Sequence, residues 1–110
     1  MKVRLIKVQT IVDYCTGHAP GKKAFECWLT AIKNADWNTP DDIRVTFGSA
    51  DILGRGSNRV LFNVGGNAYR IICKYHFGRN LLHLFICWVG THTEYDDLCN
   101  RGNQYTVNLY

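Results

Sequence analysis

A chain of 110 residues, 46% of them hydrophobic, reads as one domain over residues 1–110, with enough apolar side chain to form its own core. Its 13 Lys and Arg against 9 Asp and Glu leave a formal charge of +4, which suits a nucleic-acid partner without requiring one. No stretch approaches the roughly 20 apolar residues of a membrane span, and repeats and low-complexity tracts are absent.

The chain begins with alternation. In residues 2–8, Val3 and Leu5 fall on one side and Lys2, Arg4 and Ile6 on the other, the pattern of a short, half-buried strand. Lys7, Gln9 and Asp13 interrupt the apolar stretch after the basic start, so it is not read as a signal peptide. Residues 10–18 read as a helix carrying Ile11, Val12, Tyr14 and Cys15, after which Gly17 and Pro20 break the chain. Over 22–36 the apolar positions Phe25, Trp28, Leu29, Ile32 and Ala35 fall on one helical face, suiting a helix laid on a sheet. Pro40 at a first helical position, with Asp41 and Asp42 in the first turn, starts a short helix over 40–47. Residues 47–57, rich in Gly and Ser, read as a loop.

Strands follow. Residues 59–64 lead into Gly65-Gly66-Asn67, a tight hairpin turn. In 68–75, Tyr69, Ile71, Cys73 and Tyr75 face one way and Arg70, Ile72 and Lys74 the other. After a turn at 76–80, residues 81–89 are apolar on both faces, like a central strand covered on both sides. Early helices and a late strand meander make an α+β domain, whose sheet has four strands if residues 2–8 join it. Cys15, Cys27, Cys73, Cys87 and Cys99 are odd in number, lack CxxC spacing and mostly sit in apolar segments, as reduced thiols in a cytoplasm would.

Charge marks one region. No carboxylate occurs between Asp51 and Glu94, while Arg55, Arg59, Arg70, Lys74 and Arg79 all fall there, so the strands attract a polyanion. At their end, Thr91-His92-Thr93-Glu94 has the form of a capping box, which by itself only begins a short helix. The same geometry places His92 in a first helical turn, where free amides favour a phosphate and a neutral imidazole suits a general base.

Several short motifs in order now carry a resemblance. Ala35-Asp36-Trp37, Phe47-Gly48-Ser49-Ala50-Asp51, Asn58-Arg59-Val60 with Phe62-Asn63, Gly66-Asn67 with Tyr69-Arg70, and Gly90-Thr91-His92 with Glu94-Tyr95-Asp96 resemble the HigB family of toxins from toxin-antitoxin systems. The chain departs from that family at Gly48, where Pro is expected, and at residues 99–110, which have no counterpart. The resemblance implies a RelE-like α+β fold. An N-terminal strand and helices would pack on one face of a mainly antiparallel sheet of about four strands, with a short C-terminal helix. It also implies a ribosome-dependent mRNA interferase in the cytoplasm, with mRNA on the ribosome as substrate. A HigA-like helix-turn-helix antitoxin would hold it in a hetero-oligomer, with no membrane involved. Cleavage would need no metal or other cofactor, proceeding by attack of the ribose 2′-hydroxyl on the adjacent phosphate.

That chemistry needs a proton acceptor, a proton donor and positive charge on the phosphoryl oxygens. His92 is the candidate general base or acid, and Tyr95, on the same helix face, the candidate to orient substrate or assist proton transfer. Arg70 and Lys74 are candidates to stabilise the phosphate, one as a planar fork and one as a point charge. Asp96 either orients a partner or sits at a solvated helix start. Arg59, Asn67 and Tyr69 are candidate RNA contacts, with core packing the competing role for Tyr69. Other chemistries fit less well. A two-metal nuclease needs clustered carboxylates. Cys15 and His18 have no second pair to complete a zinc site. Gly54-Arg55-Gly56-Ser57-Asn58 lacks the Gly-Lys-Ser/Thr ending of a phosphate loop.

Overall fold

The computed structural model describes residues 1–110. Strand β1 (Lys2–Ile6) leads through helices α1 (Val8–Gly17), α2 (Lys22–Lys33) and α3 (Pro40–Thr46) to strands β2 (Asp51–Leu53), β3 (Arg59–Val64), β4 (Tyr69–Phe77) and β5 (Leu81–Thr91), and helix α4 (His92–Asn100) follows at once. The strands form a single sheet in the order β1-β5-β4-β3-β2, with β1 parallel to β5 and every other pair antiparallel. Joining two parallel neighbours requires a long crossover. The α1–α3 segment and strands β2–β4 all lie within it. None of the helices is long and apolar enough to cross a membrane.

Strand β4 lies at the middle of the sheet, with Arg70 and Lys74 on one face and Ile71 and Cys73 on the other, as alternation implied. Ile71 and Cys73 face α2, whose Phe25, Trp28 and Ile32 complete the main core together with Val60, Phe62, Leu82, Leu84, Ile86 and Val89. The helical spacing over 22–36 is thus a core stripe, and Trp28, 3% exposed, sets its indole edge-on to Phe62 with ring centroids 5.3 Å apart. Replacing Trp28 by Ala empties this site. The expected cost is roughly 3 to 5 kcal/mol in chemical denaturation; a loss under about 1 kcal/mol would mean that the indole contributes no more than a surface side chain.

Two expectations need correction. The sheet has five strands rather than about four, because β2 pairs Asp51 with Leu61 and Leu53 with Arg59 inside the segment read as a loop. Three residues are too few for alternation to stand out from the flanking Gly and Ser. The strand over 81–89 is not covered on both faces throughout: on the face away from α2, Phe85 is exposed and His83 half-buried, and only Cys87 and Trp88 are buried. A β-bulge accounts for the change. Ile72 pairs with Trp88 but Cys73 pairs with Ile86, so Cys87 is an extra residue and both Cys87 and Trp88 turn to the same side.

A second, smaller core occupies that side. Leu53, Leu61, Ile72, Cys87 and Trp88 are capped by Tyr95 and Leu98 of α4 and by Tyr105 and Val107 of the C-terminal tail. Residues 103–110 have no regular secondary structure but run across the sheet. Arg55 stacks on the Tyr105 ring at 4.5 Å, the Leu109 amide donates to the Cys87 carbonyl at 2.9 Å, and Arg59 donates to the carbonyls of Val107 and Gln104. All five cysteines are unpaired, and burial pushes the Cys73 and Cys87 thiols up, consistent with small apolar core residues.

Candidate functional site

The end of β4 and the β5–α4 junction meet at one corner of the sheet. Tyr69 pairs with Thr91 and Arg70 with Gly90, so the residue after Thr91 falls beside the Arg70 side chain. The capping box fixes that residue's backbone: Thr91 Oγ1 accepts from the Glu94 amide at 3.2 Å, and Glu94 Oε1 accepts from the Thr91 amide at 2.8 Å. The His92 amide in turn donates to the Ala68 carbonyl at 3.0 Å. Two amides of the first turn are therefore already bonded. The expectation of free amides at this helix start therefore does not hold for His92 and Glu94.

Those side chains form a chain of contacts. Arg70, 6% exposed, donates from Nη1 to the Tyr69 carbonyl at 3.1 Å and from Nη2 to Asn67 Oδ1 at 3.5 Å and to His92 Nδ1 at 2.7 Å. A guanidinium has only donors, so Nδ1 must be the acceptor. The imidazole is then neutral, with its proton on Nε2, and Nε2 lies 3.4 Å from Asp96 Oδ2. His92 and Asp96 are open to solvent, with side chains 50% and 59% exposed, whereas Arg70 lies beneath them. Asn67, Arg70, His92 and Asp96 thus form one cluster: a fixed positive charge under an accessible imidazole with a carboxylate behind it.

The other candidates lie elsewhere. Tyr95 turns toward the sheet, its ring 6.0 Å from that of Trp88, and burial, together with its neighbour Cys99, pushes its pKa well up, so it stays protonated. Tyr69 faces the helices and packs on Phe25 (5.2 Å) and Tyr14 (6.1 Å), the competing core role raised for it. Tyr14, in the same aromatic group, is pushed up to about 12 by burial and by Glu94. Arg59 is buried, with its guanidinium held by the tail. Lys74 shares a face with Arg70 but lies four residues along the strand, about 13 Å away at strand rise, with the smaller core between them. It lines a separate cleft with Arg59, His76, Phe85, Asn108 and Tyr110.

Trp88 and Gly90 adjoin the cluster in a contact that pattern reading missed. A Cβ on Gly90 would come within 2.4 Å of the Trp88 ring, so the indole lies across the strand where Gly90 has no side chain, opposite Arg70. The available signal was a glycine inside a strand, which marks close approach by another group.

Two comparisons bear on this corner. Residues 21–98 match the family model HigB_toxin, the RelE-like toxic component of a toxin-antitoxin system. The chain is also similar to the mRNA interferase HigB of Escherichia coli O6:H1, 31% identical over 67 residues. That alignment covers 61% of this chain and 63% of the relative, so it spans less than two thirds of either. The family match contains Asn67, Arg70, His92 and Asp96 and ends before the tail.

Proposed function

Since the chain belongs to the HigB toxin family, the RelE-like toxic component of toxin-antitoxin systems, we propose that it is an endoribonuclease that cuts mRNA on the ribosome in the cytoplasm. A HigA-like helix-turn-helix antitoxin would hold it inactive in a hetero-oligomer. The observation that carries the reading is the contact of Arg70 with His92 Nδ1, with Asp96 on the other ring nitrogen.

Before substrate arrives, Arg70 occupies the only lone pair of the neutral imidazole. A phosphate entering the corner competes for the guanidinium, whose planar fork suits the non-bridging oxygens. As Arg70, still held by Tyr69 and Asn67, exchanges its His92 contact for the phosphate, Nδ1 is freed beside it and accepts the proton of the ribose 2′-hydroxyl. That oxygen attacks phosphorus, the bond to the 5′-oxygen breaks, and a 2′,3′-cyclic phosphate remains. Asp96, facing Nε2–H, stabilises the imidazolium as it forms, as a carboxylate does behind any histidine base. Neither Tyr95 nor Lys74 is placed beside the imidazole, so the 5′-oxygen takes its proton from solvent or back from His92.

This sequence of steps has a direct check. An mRNA carrying a single 2′-deoxyribose at a mapped cleavage position, loaded on ribosomes, should not be cut there while other positions are cut normally. Continued cleavage at the deoxy position would rule out 2′-hydroxyl attack.

A further inference from the structure

Part of the sheet face opposite α2 is left uncovered by the tail. On it the register sets Lys74 beside Phe85, His76 beside His83, and Arg4 of β1 beside His83 on the other side. All of these lie on the face away from α2, since their neighbours Tyr75, Leu82 and Leu84 belong to or pack on the main core. Their rings form a row: His76 and His83 have centroids 6.4 Å apart at 29°, and His83 and Phe85 6.3 Å apart at 30°. Phe85 is 41% exposed, while the other phenylalanines are buried or packed against the core. Phe85 thus leaves part of its ring open to solvent on an interior strand of the sheet.

The surroundings of the row are cationic. Lys2, Arg4 and Lys74 are exposed beside it, and β1, β3, β4 and β5 carry no Asp or Glu. From Phe85 and His76 the surface continues into a cleft of about 590 Å³, walled by Asn58, Arg59, Lys74, Asn108 and Tyr110. Near-parallel rings flanked by point charges are what a single strand of nucleic acid uses: bases stack on rings and phosphates pair with the cations, with little sequence preference. A duplex offers no free base faces to such a surface.

On the reading that the substrate is RNA, we infer that His76, His83 and Phe85, with Arg4 and Lys74, form a stacking platform for single-stranded RNA. It is distinct from the His92 corner and holds nucleotides that flank the one being cut. Lys74, by about 13 Å of strand from Arg70, belongs to this platform and not to the reacting phosphate. The tail's last residues form one wall of it, which gives residues 103–110 a role outside the family match.

The probe is a short fluorescein-labelled RNA, 2′-O-methylated throughout so that it cannot be cut, titrated with full-length protein and followed by anisotropy. Wild type should bind the single strand more tightly than the matching duplex. Phe85→Leu, which keeps apolar bulk without a π face, should weaken single-strand binding by about tenfold, the scale of one lost base–ring stack, and erase the preference over duplex. Arg4→Gln should lower the salt slope of binding by about 0.7, one phosphate contact on a single strand. Unchanged single-strand binding by Phe85→Leu, with an unchanged denaturation midpoint, would overturn the platform. So would loss of antitoxin affinity in Phe85→Leu while RNA binding persists, since the face would then belong to a protein partner. Binding does not depend on cleavage: an inactive wild type that still lost RNA binding with Phe85→Leu would refute the nuclease reading and leave the platform standing.

Discussion

His92→Gln should lower single-turnover cleavage of mRNA on programmed ribosomes by roughly 100-fold or more, the lower end of what a positioned general base contributes. Ribosome binding should change little. Glutamine is chosen because its amide oxygen can still accept from Arg70, so the buried guanidinium keeps a partner and the corner keeps its shape. What it cannot do is take a proton. The same variant should relieve growth arrest in cells that lack the antitoxin. Full toxicity in His92→Gln would remove the imidazole from the mechanism, and would leave its contacts with Arg70 and Asp96 as part of the helix start alone.

Arg70→Lys should cost about as much, again roughly 100-fold or more in single-turnover cleavage, the scale of removing one preorganised oxyanion donor. Charge is retained in this variant, so a ground-state role in holding mRNA would predict weaker engagement with a near-normal rate at saturation. The structure argues for the rate. The guanidinium is fixed by the Tyr69 carbonyl and Asn67 while it reaches His92, and a single ammonium cannot satisfy all three acceptors in one plane. Because both residues act on one imidazole–phosphate unit, the double variant should be little slower than either single one. Near-normal cleavage by Arg70→Lys would defeat the assignment, and simple additivity would mean that the two side chains act separately. Because Arg70 is almost fully buried, its variants need a denaturation midpoint beside the rate, which separates lost chemistry from lost folding.

Much of the fold is visible in short-range pattern. The face of α2 follows from Phe25, Trp28 and Ile32 recurring at helical spacing, and the β3–β4 turn from Gly65 and Gly66, which do adopt positive φ of 66° and 67°. Thr91 and Glu94 announce the start of α4 because both halves of a capping box lie within four residues. The opposed faces of Arg70 and Ile71 come from strand alternation. In each case the interaction that decides the conformation joins residues close in sequence, so its signature is local.

The site was legible as residue types and not as an arrangement. His92, Arg70, Asn67 and Asp96 come together because β4 and β5 pair in one register, and the Arg70–His92 contact joins residues 22 apart. Alternation put Lys74 with Arg70, correctly for the face, but a face is longer than a site, and the Leu61, Ile72 and Trp88 cluster lies between the two cations. Helical spacing put Tyr95 with His92, yet its ring packs onto Trp88 in the smaller core. Composition and local periodicity alone determined an α+β chain with a basic, carboxylate-free set of strands and a histidine at the last helix start. Only the tertiary structure decided that β1 runs parallel to β5 and that Cys87 bulges. It also decided that the tail takes up Arg59 and that a neutral His92 rests on a buried guanidinium. Each of these depends on which distant segments share a hydrogen-bond register, and no periodicity within a single segment encodes that choice.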